Sequence, residues 1–279
     1  MTRVYWIAGN VFRGLLSKRA LYVWAAAILL MLLRSGPAIF LSDRNPGFQA
    51  FLRANAISSA LDTWALLALA AAIFLGAASV GGEKTGKTIP TVLSRPVHRW
   101  EFLVGHLLGV MVFSLVSLVI GLALASGLAL YMGIAVDTGR VAIAMGETAA
   151  AVMLFAASGI ALGANASVAL AAGVTVLLAF LPPLVDTLRN DSTPWQHYTG
   201  VVLHYLTPPG YSSHYTGIAW ADPPSTATFP GFRGRAAMER PVVDYRDATK
   251  RLSTNVAYGL AYFLIGIAIF TRKDAKLGT

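Results

Sequence analysis

The stretch over residues 102–136 contains no lysine, arginine, aspartate or glutamate. A helix needs only about 20 apolar residues to cross the hydrocarbon core of a bilayer, so a longer uncharged run is typical of a membrane span. Hydrophobic residues make up 56% of the chain and charged residues only 13%, whereas a typical soluble protein contains about 25% charged residues. The sequence therefore predicts a polytopic membrane protein. The absence of cysteine excludes disulfides and thiolate metal sites.

Apolar runs predict an all-α integral membrane fold with six transmembrane helices in a single domain, residues 1–279. The predicted spans cover residues 20–41, 63–80, 102–136, two helices within 140–185, and 256–270. The third is longer than a bilayer requires, so we expect it to be tilted, to extend beyond the bilayer, or to break at Gly121, Gly127 or Gly133. We expect a tight turn over residues 163–167, and the small residues of the fourth span allow close helix–helix approach.

The N-terminal residues 1–19 combine four basic side chains with Trp6 and several aliphatic residues. This composition predicts an amphipathic helix that lies in the membrane interface. The first span carries Arg34, for which two interpretations stay open. The side chain either snorkels to the outer headgroups or is a functional charge within the membrane.

The distribution of basic residues predicts the orientation of the chain. Half of the 22 Lys and Arg residues lie in the N-terminal arm, in the loop between spans two and three, and in the C-terminal tail. The acidic residues in these three segments are Glu83, Glu101 and Asp274. Because basic residues concentrate in cytoplasmic loops, we predict that both termini and this loop are cytoplasmic. The net charge of +9 then reflects orientation, and nucleic-acid binding is not expected.

Residues 186–254 form a long segment rich in proline, glycine and aromatic side chains. That composition is too aromatic for a disordered linker, so we predict an ordered cap on the outer surface. A short interfacial helix is expected over residues 201–206, ended by Pro208, Pro209 and Gly210. The chain thus divides into an N-terminal arm (1–19), spans one to five (20–185), the outer cap segment (186–254), and the last span with its tail (255–279).

The polar loop over residues 81–109, here called the hallmark loop, carries the most specific pattern in the chain. Its elements are Glu83, Thr88-Ile89, Leu93-Ser94-Arg95-Pro96, Arg99, and a helix start that contains Gly105 and Gly109. This pattern resembles the hallmark loop of the type-2 ABC exporter permeases, where an acidic residue and a Gly-Thr-Ile-like segment precede Leu-Ser-Arg-Pro. Trp100 and His106 stand where that family often has basic residues.

The resemblance implies that the chain is the transmembrane permease subunit of an ABC exporter in the bacterial cytoplasmic (inner) membrane. It also implies two permease chains, identical or homologous, that pair with two separate ABC ATPase subunits. ATP and Mg²⁺ belong to those subunits, so no cofactor is expected here. The implied ATPase-coupling residues are Glu83, Thr88, Leu93, Ser94, Arg95, Pro96 and Arg99.

For such a transporter, the outer cap segment is expected either to gate release of the exported molecule or to receive an extracytoplasmic partner protein. The residues assigned to this gate are Tyr205, Pro208, Pro209, Gly210, Tyr211 and Tyr215. A tolerated insertion that packs loosely on the surface is the alternative.

Residues 81–88, GGEKTGKT, also fit the G-x-x-x-x-G-K-[ST] pattern of a phosphate-binding loop. A working loop of this kind follows a buried strand and opens a helix. Here an apolar run too long for a strand precedes the pattern, and Ile89-Pro90 follow it. We interpret the match as coincidental.

Other functions rest on weaker patterns. His197, His204 and His214 indicate either an outer metal site or hydrogen-bonded interfacial histidines, and their wide spacing favours the second interpretation, so no metal site is expected. Ser158-Gly159 with His204 is vaguely similar to an intramembrane serine protease, although serine in small-residue packing is far commoner.

A membrane-embedded enzyme is the main rival function, and a membrane scaffold without transport activity is the next. An enzyme requires ionisable residues that converge within the spans, and only Arg34 and Glu147 are candidates. Glu147 and Asp186 lie near the outer ends of spans, where we expect both to reach water.

Overall fold

The computed structural model describes residues 2–16, 22, 24–33, 46–85, 98–133, 138–189, 194–209 and 245–275. Within these ranges the regular structure is entirely helical, which confirms the all-α prediction. The helices are α1 (Thr2–Leu15), α2 (Trp24–Leu33), α3 (Pro46–Thr85), α4 (Arg99–Tyr131), α5 (Thr138–Asn165), α6 (Val168–Arg189), α7 (Pro194–Leu206) and α8 (Tyr245–Ala275).

Five of the described helices are long and apolar enough to cross a membrane. They are α4, α5 and α6 together with Ala56–Gly81 of α3 and Arg246–Arg272 of α8. Each overlaps one of the predicted spans. The first predicted span, residues 20–41, lies partly outside the described residues, and its described part is the shorter apolar helix α2. The count of six spans therefore stays a prediction.

Helix α5 lies at the centre of the bundle, packed against α3, α4, α6 and α8. Gly76 of α3 lies beside Ala156, and Ala77 lies beside Gly163, so α3 and α5 run in the same direction. Helix α8 runs in this direction too. Its Leu252 lies beside Gly146, near the start of α5, and its Gly266 lies beside Ala161, near the end of α5.

These directions give the bundle two ends. The end that we call the loop end holds the C-terminus of α3, the start of α4, the α5–α6 turn and the C-terminus of α8. The other end, the far end, holds the end of α4, the start of α5, the end of α6 and the start of α8.

Small residues bring the backbones of α3 and α5 into direct contact. A Cβ atom at Gly159 would lie 3.1 Å from both the nitrogen of Ala77 and the carbonyl oxygen of Ile73. A Cβ atom at Gly163 would lie 2.5 Å from the carbonyl oxygen of Ala77. Helices in lipid associate through such close van der Waals packing, because the hydrophobic effect gives no preference for a neighbouring helix over lipid. The predicted close approach is confirmed.

Helix α4 runs unbroken through Gly121 and Gly127 and ends at the Met132–Gly133 turn. Of the alternatives for this span, a break at Gly121 or Gly127 is therefore wrong, whereas the helix does end beside Gly133, the third candidate. Gly121 instead accommodates the indole of Trp64 from α3, where a Cβ atom would overlap the ring. Gly133 adopts a φ of 70°, a left-handed conformation that glycine adopts without the usual steric cost at a helix C-terminus.

The turn between α5 and α6 is confirmed and is shorter than predicted. Residues 163–165 remain helical, so only Ala166 and Ser167 connect the two helices. The hydroxyl of Ser167 accepts a hydrogen bond from the backbone N–H of Leu170 at 3.4 Å. A serine at this position satisfies one of the N–H groups that the first turn of a helix leaves without an intrahelical acceptor.

Helices extend into both edges of the outer cap segment. Helix α6 continues to Arg189, and α8 begins at Tyr245, before the predicted start of the last span. The short helix predicted over residues 201–206 is confirmed as part of α7, which begins at Pro194 because proline suits the first helical position. Residues 210–244 lie outside the described residues.

Candidate functional site

Two of the predicted coupling residues, Glu83 and Arg99, belong to described helices at the loop end. Glu83 lies in the last turn of α3, and Arg99 is the first residue of α4, where it is partly buried. The others fall within residues 86–97, outside the described residues, and they are Thr88, Leu93, Ser94, Arg95 and Pro96. Their role in coupling therefore stays a prediction.

A capping interaction sets the start of α4. The backbone N–H of His98 donates a hydrogen bond to Oε2 of Glu101 at 2.9 Å. Glu101 is only 8% exposed. A glutamate at the third helical position commonly bonds back in this way, and its charge is favourable near the positive end of the helix dipole. Glu101 thus fixes the point at which the hallmark loop becomes helix.

The two glycines at the start of α4 form the seat of the N-terminal helix α1. A Cβ atom at Gly105 would lie 2.6 Å from Cγ2 of Ile7, and one at Gly109 would lie 2.7 Å from Cβ of Val11. Ile7 faces Gly105 and Val11 faces Gly109, so α1 and α4 run in the same direction along this contact. The two glycines, four residues apart on one face of α4, therefore allow α1 to pack closely against this helix.

Helix α1 has two distinct faces. Val4 and Ile7 are buried against α4, whereas Tyr5 and Trp6 are 68% and 61% exposed. The amphipathic character predicted for the N-terminal arm is thus present, with part of its apolar face taken by α4. Its placement in the membrane interface stays a prediction.

The phosphate-loop pattern GGEKTGKT begins inside a membrane helix. Residues 81–85 are helical and continue α3 without a break. Gly81 is buried, and a Cβ atom there would lie 2.7 Å from Cγ2 of Val168 in α6. In a phosphate-binding loop these residues would curve around the phosphates after a strand. The helical conformation supports a coincidental match.

A cavity of about 430 Å³ lies at the far end, between α6, α8 and the chain that follows α7. Helix α6 contributes Pro182, Val185 and Arg189, which recur at helical spacing on one face of the helix. The end of α7 contributes His204, and the residues after it contribute Thr207, Pro208 and Pro209.

The opposite wall is a single stripe along α8. The stripe comprises Asp247, Lys250, Arg251, Thr254 and Tyr258. Nε of Arg251 lies 2.8 Å from Oδ2 of Asp247, an ion pair four residues apart on the helix. The cavity thus joins basic groups from α6 and α8.

Helix α7 is folded back against the end of α6. Nδ1 of His197 donates a hydrogen bond to the carbonyl oxygen of Arg189 at 2.6 Å, so it satisfies a carbonyl at the C-terminus of α6. Gly200 lies directly against the backbone of Leu188 and Arg189. This supports the hydrogen-bonded interpretation of His197, whereas His204 lines the cavity and His214 lies outside the described residues.

The residues assigned to the outer gate are only partly described. Pro208 is buried and Pro209 is partly buried, and both line the cavity. Tyr205 lies in α7. Gly210, Tyr211 and Tyr215 lie outside the described residues, so the gate itself stays a prediction.

Glu147 of α5 lies near the far end and is only 8% exposed, so the expectation that it reaches water is wrong. Neither carboxylate oxygen has a hydrogen-bond partner within the described part of the chain. Arg251 and Asp247 both act on it electrostatically. The other membrane polar group considered above, Ser158, donates its hydroxyl hydrogen to the carbonyl oxygen of Leu154 at 2.7 Å.

Sequence reasoning missed the cavity because residues 186–254 were assigned to the outer cap segment. The spacing of Asp247, Lys250, Arg251, Thr254 and Tyr258 is a helical stripe that the sequence shows. This spacing indicates a helix, but it does not reveal that α6 and the end of α7 form the opposite wall of the cavity. Arg189 and His204 reach the same cavity only through the fold of α6 and α7.

Comparison with known proteins bears on the whole chain. No curated protein matches it significantly. The family model described as ABC-2 family transporter protein matches residues 11–275, which include all five apolar helices. The match agrees with a multi-pass membrane protein whose role is that of a transport permease. The chain therefore belongs to the ABC-2 family of transporter proteins.

Proposed function

We propose that the chain exports a substrate across the bacterial cytoplasmic membrane with ATP hydrolysed by separate ABC ATPase subunits. The observation that carries this proposal is the family match over residues 11–275, because permeases of this family typically work with such ATPases. The proposal includes a second permease chain, identical or homologous, and a pathway at the interface of the two.

The packing of the two helices that flank the hallmark loop supports a mechanical role for this loop. The loop joins α3 and α4, which pack against each other, with Trp64 of α3 seated at Gly121 of α4. Helix α3 also contacts α5 backbone to backbone, and α4 carries α1. We expect a displacement of the loop to be transmitted through these packed helices to both sides of the bundle.

The arrangement of the helices also supports the proposed orientation, with the loop end in the cytoplasm. Helix α1 lies along the start of α4, and α8 ends beside the end of α5, so both termini accompany the hallmark loop. The far end is then the outer face. The cavity there, with Pro208 in its wall, supports an outer gate or a docking place for an extracytoplasmic partner.

Co-purification tests the coupling proposal. Leu93 is the proposed apolar anchor in a groove of the ATPase, and Arg95 is proposed to pair with an ATPase carboxylate in a bidentate geometry. We expect the double variant Leu93→Asp, Arg95→Glu to insert in the membrane but to lose association with the partner ABC ATPase. Arg53→Glu, an exposed residue near the far-end start of α3, is the control and should keep the complex. Undiminished co-purification of the double variant would move the coupling site elsewhere.

Single-cysteine labelling tests the orientation, and the absence of native cysteine makes it unambiguous. We expect Ser94→Cys to react with a membrane-impermeant maleimide only when the cytoplasmic face is accessible. We expect Ser213→Cys to react in intact cells. Labelling of Ser94→Cys from outside intact cells would invert the orientation.

A further inference from the structure

The far-end cavity combines a basic rim with an apolar continuation. Lys250 and Arg251 lie within the first two turns of α8, and Arg189 is the last residue of α6. Asp247, which also lines the cavity, is paired with Arg251. Within the described residues neither Lys250 nor Arg189 forms a salt bridge with a carboxylate. Two cations from different helices thus line one cavity, and the carboxylate beside them is engaged by a third basic group.

The face of α8 that lines the cavity becomes apolar toward the C-terminus of the helix. The stripe that carries Lys250, Thr254 and Tyr258 continues at helical spacing through Ala261 to Ile265 and Ile269. Ile265 is 56% exposed and Ile269 is 42% exposed. Helices α6 and α8 each pack on α5, and the described residues show no extensive contact between α6 and α8. An apolar strip therefore leads away from the cavity along α8.

Size and position favour a lipid over a free anion. At about 430 Å³ the cavity lies within the range of small-molecule sites, about 300–1,000 Å³, and is much larger than a bare phosphate. The cations lie where the apolar parts of α6 and α8 end, which is the level of lipid headgroups. Phosphate oxygens accept several charge-assisted hydrogen bonds from lysine and arginine at once. Acyl chains match the exposed strip below.

We propose that this cavity is a binding site for an anionic phospholipid, with the headgroup phosphate between Lys250 and Arg189 and an acyl chain along Ala261, Ile265 and Ile269. The inference goes beyond the proposed function, because it concerns the isolated chain and holds whichever molecule is exported. It assigns to the far end a ligand that bridges α6 and α8 across the cavity.

Native mass spectrometry of the purified full chain in detergent tests the site. The probes are phosphatidylglycerol, which is anionic, and phosphatidylcholine, which has the same phosphate but no net charge. We expect the chain to retain phosphatidylglycerol more tightly than phosphatidylcholine. The single variants Lys250→Gln and Arg189→Gln should each lower the apparent affinity for phosphatidylglycerol about tenfold. Lys250→Arg should restore binding. Arg246→Gln removes a charge from the same end of α8 outside the cavity and should retain native affinity.

A second pair of variants separates a lipid from a soluble anion. Ile265→Gln places an amide on the apolar strip, whereas Leu264→Gln places one on the neighbouring exposed face of α8. We expect only Ile265→Gln to weaken phosphatidylglycerol binding, and inorganic phosphate in large excess should not displace the lipid. Equal retention of both phospholipids, native affinity in Lys250→Gln, or displacement by phosphate alone would each overturn the proposal. Because no ATPase is present, none of these results depends on the coupling proposal.

Discussion

The two ends of the bundle each bury one glutamate to 8% exposure, Glu101 at the loop end and Glu147 near the far end. Glu101 accepts a hydrogen bond from the backbone of His98, three residues earlier. Neither oxygen of Glu147 has such a partner within the described part of the chain. The described residues of the loop end thus contact one another, and α1 packs on Gly105 and Gly109 in the same way.

The far end is built differently. Its cavity is lined by residues from α6, α7 and α8. Arg189 belongs to α6, whereas Lys250 and Arg251 belong to α8, so basic side chains distant in sequence line the same cavity. A buried carboxylate such as Glu147, whose oxygens accept no hydrogen bond, costs free energy unless nearby charges compensate it. The comparison indicates that the described residues of the loop end pack closely against one another, whereas the far end leaves a cavity that can hold a ligand.

The largest expected effect is at the seat of α1. Gly109→Leu should displace α1 from α4, because a Cβ atom alone would come within 2.7 Å of Val11 and 3.0 Å of the carbonyl oxygen of Ala8. The measurement is thiol labelling of an added Ile7→Cys, which is buried in the native packing. We expect labelling to rise from nearly none to nearly complete.

The matched control for this prediction lies on the same helix. A Cβ atom added at Gly127 of α4 would have no atom within 4 Å, so Gly127→Leu should leave Ile7→Cys protected. Strong labelling in both variants would mean that α1 detaches readily from α4. The loop end would then be no more tightly packed than the far end.

The two buried glutamates should respond with opposite signs to the same substitution. Glu101→Gln should lower the free energy of unfolding by about 0.5 kcal/mol, because a negative charge is favourable in the first turn of a helix. Glu147→Gln should raise it by about 1 kcal/mol, because a neutral amide costs less to bury than a carboxylate whose oxygens accept no hydrogen bond. Thermal unfolding in detergent at neutral pH measures both. Changes of the same sign would show that the two sites are electrostatically alike.

The last prediction is that a substitution in the phosphate-loop pattern has no effect on nucleotide binding. Lys87→Ala should not change nucleotide binding by the purified chain, which we expect to be absent in both proteins. The reason is that residues 81–85 are helical and continue α3, so the phosphate-loop pattern lacks its strand context. Titration with a fluorescent ATP analogue measures this. Micromolar binding that disappears in Lys87→Ala would give the loop end a ligand site of its own.

Local patterns predicted much of the fold. Apolar runs with few or no charges identified the helices that became α4, α5 and α6, because transfer of apolar side chains into lipid depends on composition more than on neighbours. The hallmark loop was recognisable because its residues are contiguous. Gly133 ends α4 and Pro194 starts α7 for backbone reasons that act within a few residues.

Other features of the chain were not predictable in this way. Gly121 was a candidate break point in α4, yet it remains helical, and the indole of Trp64 from α3 packs where a side chain at this position would lie. Glu147 was expected to reach water, and the packing of α5 buries it instead. In both cases the environment of the residue depends on a neighbouring helix, which the local sequence does not reveal.

The sequence by itself determined that this chain is a helical membrane protein and which loop carries the family pattern, since hydropathy and contiguous motifs act along the chain. Only the tertiary structure decided that Gly105 and Gly109 seat α1, and that Arg189, His204 and Lys250 line one cavity. The physical reason is that helices in lipid have no hydrophobic preference for one neighbour over another. Their partners follow from steric fit between faces, which no single segment encodes.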